Sequence, residues 1–229
     1  MDRIILIETS TALCSTALLE DGKIISYKEN PNREHSALTA PFVKEMLDEH
    51  GLTVKDCNAV CGSMGPGSYT GLRVGVSTAK GLCFGAGLPL IAVNSLEVLA
   101  AQAIEEKLLP TDCKYIVPMI DARRMEVYTA LFSAEGKQLT ETEPKIIDAT
   151  SFEKELSDGK VLFIGDGAEK CMETIKSPNA CFSNAWPKAS AMKNPALREY
   201  RAENFKDVAY FEPFYLKEFI ATVSKKKLF

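Results

Sequence analysis

Two carboxylates stand at matching places in this sequence and are its first candidates for chemistry. Glu8 ends the apolar run Ile4–Ile7 and is followed by Thr9-Ser10-Thr11; Asp121 ends the apolar run Ile116–Ile120. Carboxylates set at strand ends on the two sides of a cleft are groups that position a cation or a water. A second candidate is the stretch from Gly62 to Arg73, which reads as a strand, a glycine-rich turn and a helix start. Gly65 and Gly67 can take positive φ, Pro66 fixes the turn between them, and Ser68 is the natural N-cap. Free N–H groups at such a helix start suit an anion. The turn is neither a Walker A loop, since no Gly-Lys-Ser/Thr follows, nor a dinucleotide fingerprint, since its glycines run G-x-G-x-x-x-G. Metal chemistry finds little support: the two histidines, His35 and His50, are 15 residues apart, and the seven cysteines contain no CxxC pair.

The elements that must carry these groups show an internal repeat. Residues 4–23 and 116–137 align with Glu8 on Asp121 at an offset of 113, and Thr16-Ala17-Leu18 falls on Thr129-Ala130-Leu131 at the same offset. Each copy is an apolar run ending in a carboxylate, a turn, an alternating run, and an acid-Gly-Lys turn, which predicts strand, turn, strand and hairpin. After the first copy come an amphipathic helix with Leu38, Phe42, Val43, Met46 and Leu47 on one face, the strand Ala59–Cys61, the glycine-rich turn and a helix. Pro41 fits the first helix if Thr39 is its N-cap or if it is kinked. After the second copy come a short helix near Phe152–Leu156, the strand Val161–Ile164, the turn Gly165-Asp166-Gly167 and a helix over Ala168–Lys176. In the helix after the glycine-rich turn, Gly71, Gly75 and Ala79 fall at i, i+4 and i+8 with Leu72 and Val76 beside them. Small residues in such a row admit another backbone closely, either in the core or from a partner helix.

Two copies of this pattern predict an α/β protein of two lobes, each a mixed β-sheet flanked by helices, with a cleft between them. The division expected is residues 1–104 and 105–229, hinged near Gln102–Thr111, with the last segment a candidate to return to the first lobe. The chain is 46% hydrophobic and 25% charged, which excludes disordered and fibrous classes. A net charge of −4 argues against a protein that grips nucleic acid by its own general electrostatics. No apolar run reaches the ~18 residues of a membrane span. No signal peptide is read at the start, and cytoplasmic residence with reduced thiols is expected.

Several strings resemble the TsaB (YeaZ) family. They are ILIETSTALCSTALLEDGK, Arg33-Glu34-His35-Ser36, GSMGPGSYTGLRVGVSTAKGL, Ile91 to Glu97, DARRMEVY (121–128) and Glu212-Pro213-Phe214-Tyr215-Leu216. The resemblance spans almost the whole chain; GPGSYTGLR and DARRMEVY together are its specific part, and residues 137–195 match only in outline. It implies a duplicated actin-like, ribonuclease-H-like fold. It also implies a non-catalytic partner of a homologous transferase, TsaD, which forms threonylcarbamoyladenosine at position 37 of tRNAs reading codons that begin with A. An ATPase, TsaE, joins that complex, and the free protein forms a homodimer. Contact with tRNA is then indirect or weak, and no membrane and no cofactor are involved. The family pattern places the partner contact on the first two helices, here Leu38, Phe42, Met46, Gly71, Leu72, Gly75, Val76 and Ala79.

The catalytic relative carries a metal-binding His-x-x-x-His. The matching positions here are Ser95 and Leu99, and Leu cannot coordinate a metal. Actin-like ATPases place an Asp at the first strand end of each lobe; here those ends are Glu8, with Thr9 and Ser10 following, and Asp121. Gly165 and Gly167 lie where the fold approaches the adenosine, but Asp166 between them sets a like charge there and no Lys is read among these turns. These residues are therefore expected to form a degenerate nucleotide cleft without a metal. The rival expectation is an actin-like ATPase or, with less to support it, a metallopeptidase. His35 is expected to cap a helix or lie on the surface.

Overall fold

The computed structural model describes residues 2–216; Met1 and residues 217–229, with Lys225-Lys226-Lys227, lie outside the described residues. Strands β1 (Arg3–Glu8), β2 (Cys14–Glu20) and β3 (Lys23–Asn30) form an antiparallel meander. Strands β4 (Ala59–Gly65) and β5 (Leu90–Asn94) run parallel to β1, giving the order β3-β2-β1-β4-β5. The second sheet comprises β6 (Cys113–Asp121), β7 (Glu126–Thr129), β8 (Phe132–Ser133), β9 (Glu143–Ile146), β10 (Lys160–Ile164) and β11 (Ala180–Ser183). Its order is β9-β7-β6-β10-β11, with β8 a short partner of β6. Directions also match: β7 is antiparallel to β6 and to β9, whereas β10 and β11 run parallel to β6. The repeat is thus a repeat of sheet topology, and Glu8 and Asp121 end the corresponding central strands.

The central strand β1 is apolar on both faces, as a strand covered on both sides must be. Ile5 and Ile7 point to helices α1 (His35–Glu49) and α2 (Tyr69–Ala86), through Val43, Met46, Leu47, Ala79 and Cys83. Ile4 and Leu6 point the other way, to Ala189, Ala191 and Met192 and to Ala196 and Leu197 of α5 (Lys193–Arg201). Helix α3 (Ser95–Glu105) serves both halves: Val98 joins this first-sheet cluster, while Leu96, Leu99, Ala100 and Ala103 pack with Ile116, Ile120 and Leu162 of the second sheet. The chain returns to the first lobe well before its end. The Lys206 N–H donates to the Leu90 carbonyl (2.8 Å), Lys80 Nζ to the carbonyls of Ala209 and Phe211 (3.0 Å each), and the Phe214 N–H to the Met64 carbonyl (2.7 Å). The strands of the second sheet lie within residues 113–183, while Ala196 and Leu197 of α5 and the segment after it pack on the first sheet.

Some local expectations change. Helix α1 begins at His35 and runs through Pro41, so Thr39 is not its N-cap; the Thr39 hydroxyl donates to the His35 carbonyl instead. His35 is buried, and its Nε2 donates to the Thr11 carbonyl at 2.9 Å, tying α1 to the β1–β2 connection rather than facing solvent. Helix α3 continues past Gln102, whose buried amide accepts from the Lys188 N–H, so the connection between the halves is shorter than the hinge expected. The short helix α4 (Glu153–Asp158) forms as expected. Residues 168–176 do not make an α-helix: Cys171, Met172 and Thr174 each donate to the carbonyl three residues back, the bonding of tight 3-10 turns. Among the described residues no helix is long and apolar enough to cross a membrane.

Candidate functional site

In the first lobe the expected nucleotide cleft is filled by the chain itself. Glu8 is fully buried; its Oε1 accepts from the Ser10 N–H (2.6 Å) and the Ser63 hydroxyl (2.9 Å). Among the described residues its Oε2 has no partner, and neither do the buried hydroxyls of Ser10, Thr11 and Ser95. Burial pushes the Glu8 carboxyl up to about 7, against the pull of the hydrogen bonds from Ser10 and Ser63. The residues after Glu8 are seated on the glycine-rich turn and on α2. The Ser68 N–H donates to the Ser10 carbonyl at 2.7 Å, and a Cβ on Gly67 would stand 2.2 Å from that same oxygen. One turn on, the Gly71 N–H donates to Ser68 Oγ. The N–H groups of Ser68 and Gly71, two of those expected to greet an anion, are therefore spent within the chain.

The small-residue row of α2 is the floor under this loop. A Cβ on Gly71 would lie 2.0 Å from the Thr9 carbonyl oxygen, and one on Gly75 2.1 Å from Thr9 Oγ1. Thr9 Oγ1 in turn donates to the Gly71 carbonyl at 2.8 Å. Of the two uses left open for Gly71, Gly75 and Ala79, the intrachain one is realised. Leu72, Val76 and Ala79 are buried, as is Met46 of α1. Six of the eight positions expected at a partner contact thus face inward, because the stripe that looks flat in sequence is the stripe that admits β1 and its turn. Leu38 and Phe42 stay half-buried at the edge of α1. The outward face of α2 is a different one: Val74, Ser77, Thr78, Gly81, Phe84 and Gly85.

In the second lobe Asp121 is exposed, and an internal cation neutralises it. Lys170 Nζ forms an ion pair with Asp121 Oδ1 and donates to the Glu126 carbonyl at 2.7 Å. This lysine lies in a tight turn just after Gly165-Asp166-Gly167, so a lysine does stand among these turns. Asp166 Oδ1 accepts the Asp121 N–H at 3.0 Å, and burial raises the Asp166 carboxyl above its ordinary range. Gly165 has φ +132°, and a Cβ there would meet the Met119 carbonyl oxygen at 2.1 Å; the Gly167 N–H donates to that carbonyl at 2.9 Å. Both glycines hold the turn against β6. Ser95 and Leu99, at the positions of the metal ligands, are both buried in α3. Among the described residues no three His, Cys, Asp or Glu side chains are grouped to hold a metal. A groove of about 640 Å³ on the second lobe is lined by Tyr115, Leu131, Leu139, Lys154, Glu155, Ser157 and Asp158, none of them an expected site residue.

Comparison with known proteins agrees with this architecture. Residues 24–224 match the family model described as TsaD, tRNA N6-adenosine threonylcarbamoyltransferase. The chain is 31% identical to the tRNA threonylcarbamoyladenosine biosynthesis protein TsaB of Escherichia coli (strain K12), over 96% of each protein. It is 36% identical to the protein of the same name from Bacillus subtilis (strain 168), over 71% of this chain and 70% of the relative. Among solved structures, an uncharacterized Pseudomonas aeruginosa protein with similarity to peptidase YEAZ superposes with a TM-score of 0.83 at 25% identity, over 95% of this chain and all of that one. The α/β fold of two mixed sheets flanked by helices is the fold of this group. With the family model spanning most of the sequence and a relative matched end to end, the chain belongs to the TsaB (YeaZ) proteins of the TsaD family.

Proposed function

We propose that this chain serves the formation of threonylcarbamoyladenosine in tRNA as the non-catalytic partner of a TsaD-like transferase. The names of its relatives support the pathway, and the consumed cleft supports the absence of catalysis: Glu8 is walled in by its own turn, and Asp121 is held by Lys170. The observation that carries the docking role is the outward face of α2. Phe84 is 86% exposed, and an added Cβ at Gly81 or Gly85 would meet nothing within 4 Å. A bare aromatic ring flanked along α2 by two open glycines is an anchor with room for another helix beside it. The transferase occupies that face in the complex, a second copy of the chain occupies it when the protein is alone, and a TsaE-like ATPase joins the heterodimer. The tRNA is gripped by the transferase, which fits a partner chain of net charge −4.

The test is a charge placed on this face. Phe84→Glu and Gly81→Glu should abolish co-purification with the transferase while leaving the thermal midpoint of the isolated chain within a few degrees of the parent. Intact complexes with both variants would overturn the assignment. Gly75→Glu cannot serve here, because the new side chain would collide with Thr9 inside the molecule.

A further inference from the structure

The segment Glu212–Leu216 is absorbed neither by the cleft nor by the docking face, yet it touches both halves of the molecule. It crosses the glycine-rich turn, where the Phe214 N–H donates to the Met64 carbonyl at 2.7 Å and a Cβ on Gly65 would lie 3.0 Å from the Phe214 carbonyl oxygen. Tyr215 then stacks on Tyr69, the first residue of α2, with ring centroids 5.1 Å apart and planes 25° from parallel. Arg73, one turn further along α2, lies over the Tyr215 ring at 6.0 Å and donates from Nε to the Tyr215 hydroxyl at 3.4 Å. The next residue, Leu216, packs on the cluster formed by Ile116, Ile120 and Tyr128 of the second sheet with Leu96 and Leu99 of α3. Tyr69 itself lies near enough to Tyr128 to add to the rise that burial causes in the Tyr128 phenol.

We propose that Glu212–Leu216 is an interlobe latch, with Tyr215 clamped on Tyr69 and Arg73 of the first lobe and Leu216 seated on the core of the second. Closed, it covers the glycine-rich turn and fixes the start of α2 relative to the β6–β7 hairpin. It is a property of the isolated chain and stands whether or not α2 docks a partner. Held by the Phe214 backbone hydrogen bond, the Tyr215–Tyr69 ring pair and the Arg73 contacts to Tyr215, all on a half-exposed surface segment, it belongs to the parts of a structure that open locally, well below the cost of global unfolding.

Hydrogen exchange read by mass spectrometry on the full chain tests this. Tyr215→Ala should speed exchange about tenfold in residues 72–76 and in the hairpin at 119–129, with peptides of β1 and β2 unchanged. Tyr215→Phe keeps the stack and should exchange like the parent. Should Tyr215→Ala not give folded protein, Tyr215→Leu, which keeps the apolar bulk and loses the stack, is read in its place. Parent-like exchange in both regions would overturn the latch, and so would an equal acceleration across β1 and β2, the signature of a residue that merely supports the whole fold.

Discussion

Replacing Glu8 by Gln removes a titrating group from the interior without changing the volume that fills it. The Glu8 carboxyl is held near 7 in the folded chain, mainly by burial, against an ordinary value of 4.5. A carboxyl whose value is raised on folding is carried protonated by the native state while the unfolded chain ionises. The unfolded state then binds fewer protons than the native one, so stability falls as pH rises between 4.5 and about 7 and is level again above that window. At about 1.4 kcal/mol per pH unit across that window, the loss reaches about 3 kcal/mol by pH 8. A Gln side chain escapes it: its carbonyl oxygen still accepts from Ser10 and Ser63, and its amide hydrogens replace the unpartnered Oε2 next to the hydroxyl of Ser10. Urea unfolding of both proteins at pH 5, 6, 7 and 8 reads the difference, and subtracting variant from parent cancels every group that the two proteins share. The expected result is near parity at pH 5 and an advantage for Glu8→Gln of about 3 kcal/mol at pH 8, seen as a higher midpoint at unchanged slope. A difference that stays flat across this range would refute the reasoning, because it would mean that Glu8 is ionised in the folded chain and its charge compensated.

Two glycines of α2 give opposite expectations from the same substitution. Gly75→Ala puts a methyl 2.1 Å from Thr9 Oγ1 and should cost about 2–3 kcal/mol, lowering the thermal midpoint by about 5–10 °C. Gly81→Ala meets open space and should raise the midpoint by about 2–4 °C through helix propensity alone. Lys170→Ala breaks a part-exposed ion pair, so the midpoint should fall by no more than about 3 °C, with the gap from the parent narrowing in 0.5 M salt as the charges are screened.

The duplication was legible in the sequence because a strand that ends in an acid and turns into a hairpin leaves the same short pattern twice, and the two sheets then assemble in the same order. The expected helix positions on either side of β4 also stood, since their apolar spacing is local. What stayed hidden depends on contacts far apart in the chain. The row Gly71, Gly75, Ala79 announces a close approach but not its direction; the approaching group is Thr9, more than sixty residues earlier. Lys170 carries no sign that it reaches Asp121, because the tight turn that delivers it replaced an expected helix. The outward face of α2 is hidden for a related reason: Phe84, Gly81 and Gly85 look like a weak helix end, and only their exposure marks them as a surface. The return of residues 189–216 to the first sheet is harder to read, because it consists of one nine-residue helix, α5, set between a short turn and irregular chain.

The two acid positions, alike in topology, were closed by unlike means. Glu8, one methylene longer than Asp, folds back so that its own Ser10 amide and the neighbouring Ser63 hydroxyl take the place of a ligand. Asp121 keeps its exposure, and Lys170 supplies the charge that a bound cation would otherwise bring. Because each closure uses groups from a different element, restoring one half would not restore the other. Glu8→Asp shortens the reach to Ser10, yet the Ser10 carbonyl still occupies the space that a side chain on Gly67 cannot enter. Freeing Asp121 of Lys170 leaves it beside Asp166, whose carboxylate holds the Asp121 amide and repels an anion. If the cleft is degenerate as we propose, a single substitution at either acid position should not open a working phosphate site. The outward face of α2 around the bare Phe84 ring, which needs no cleft at all, is the surface on which we propose that a partner docks.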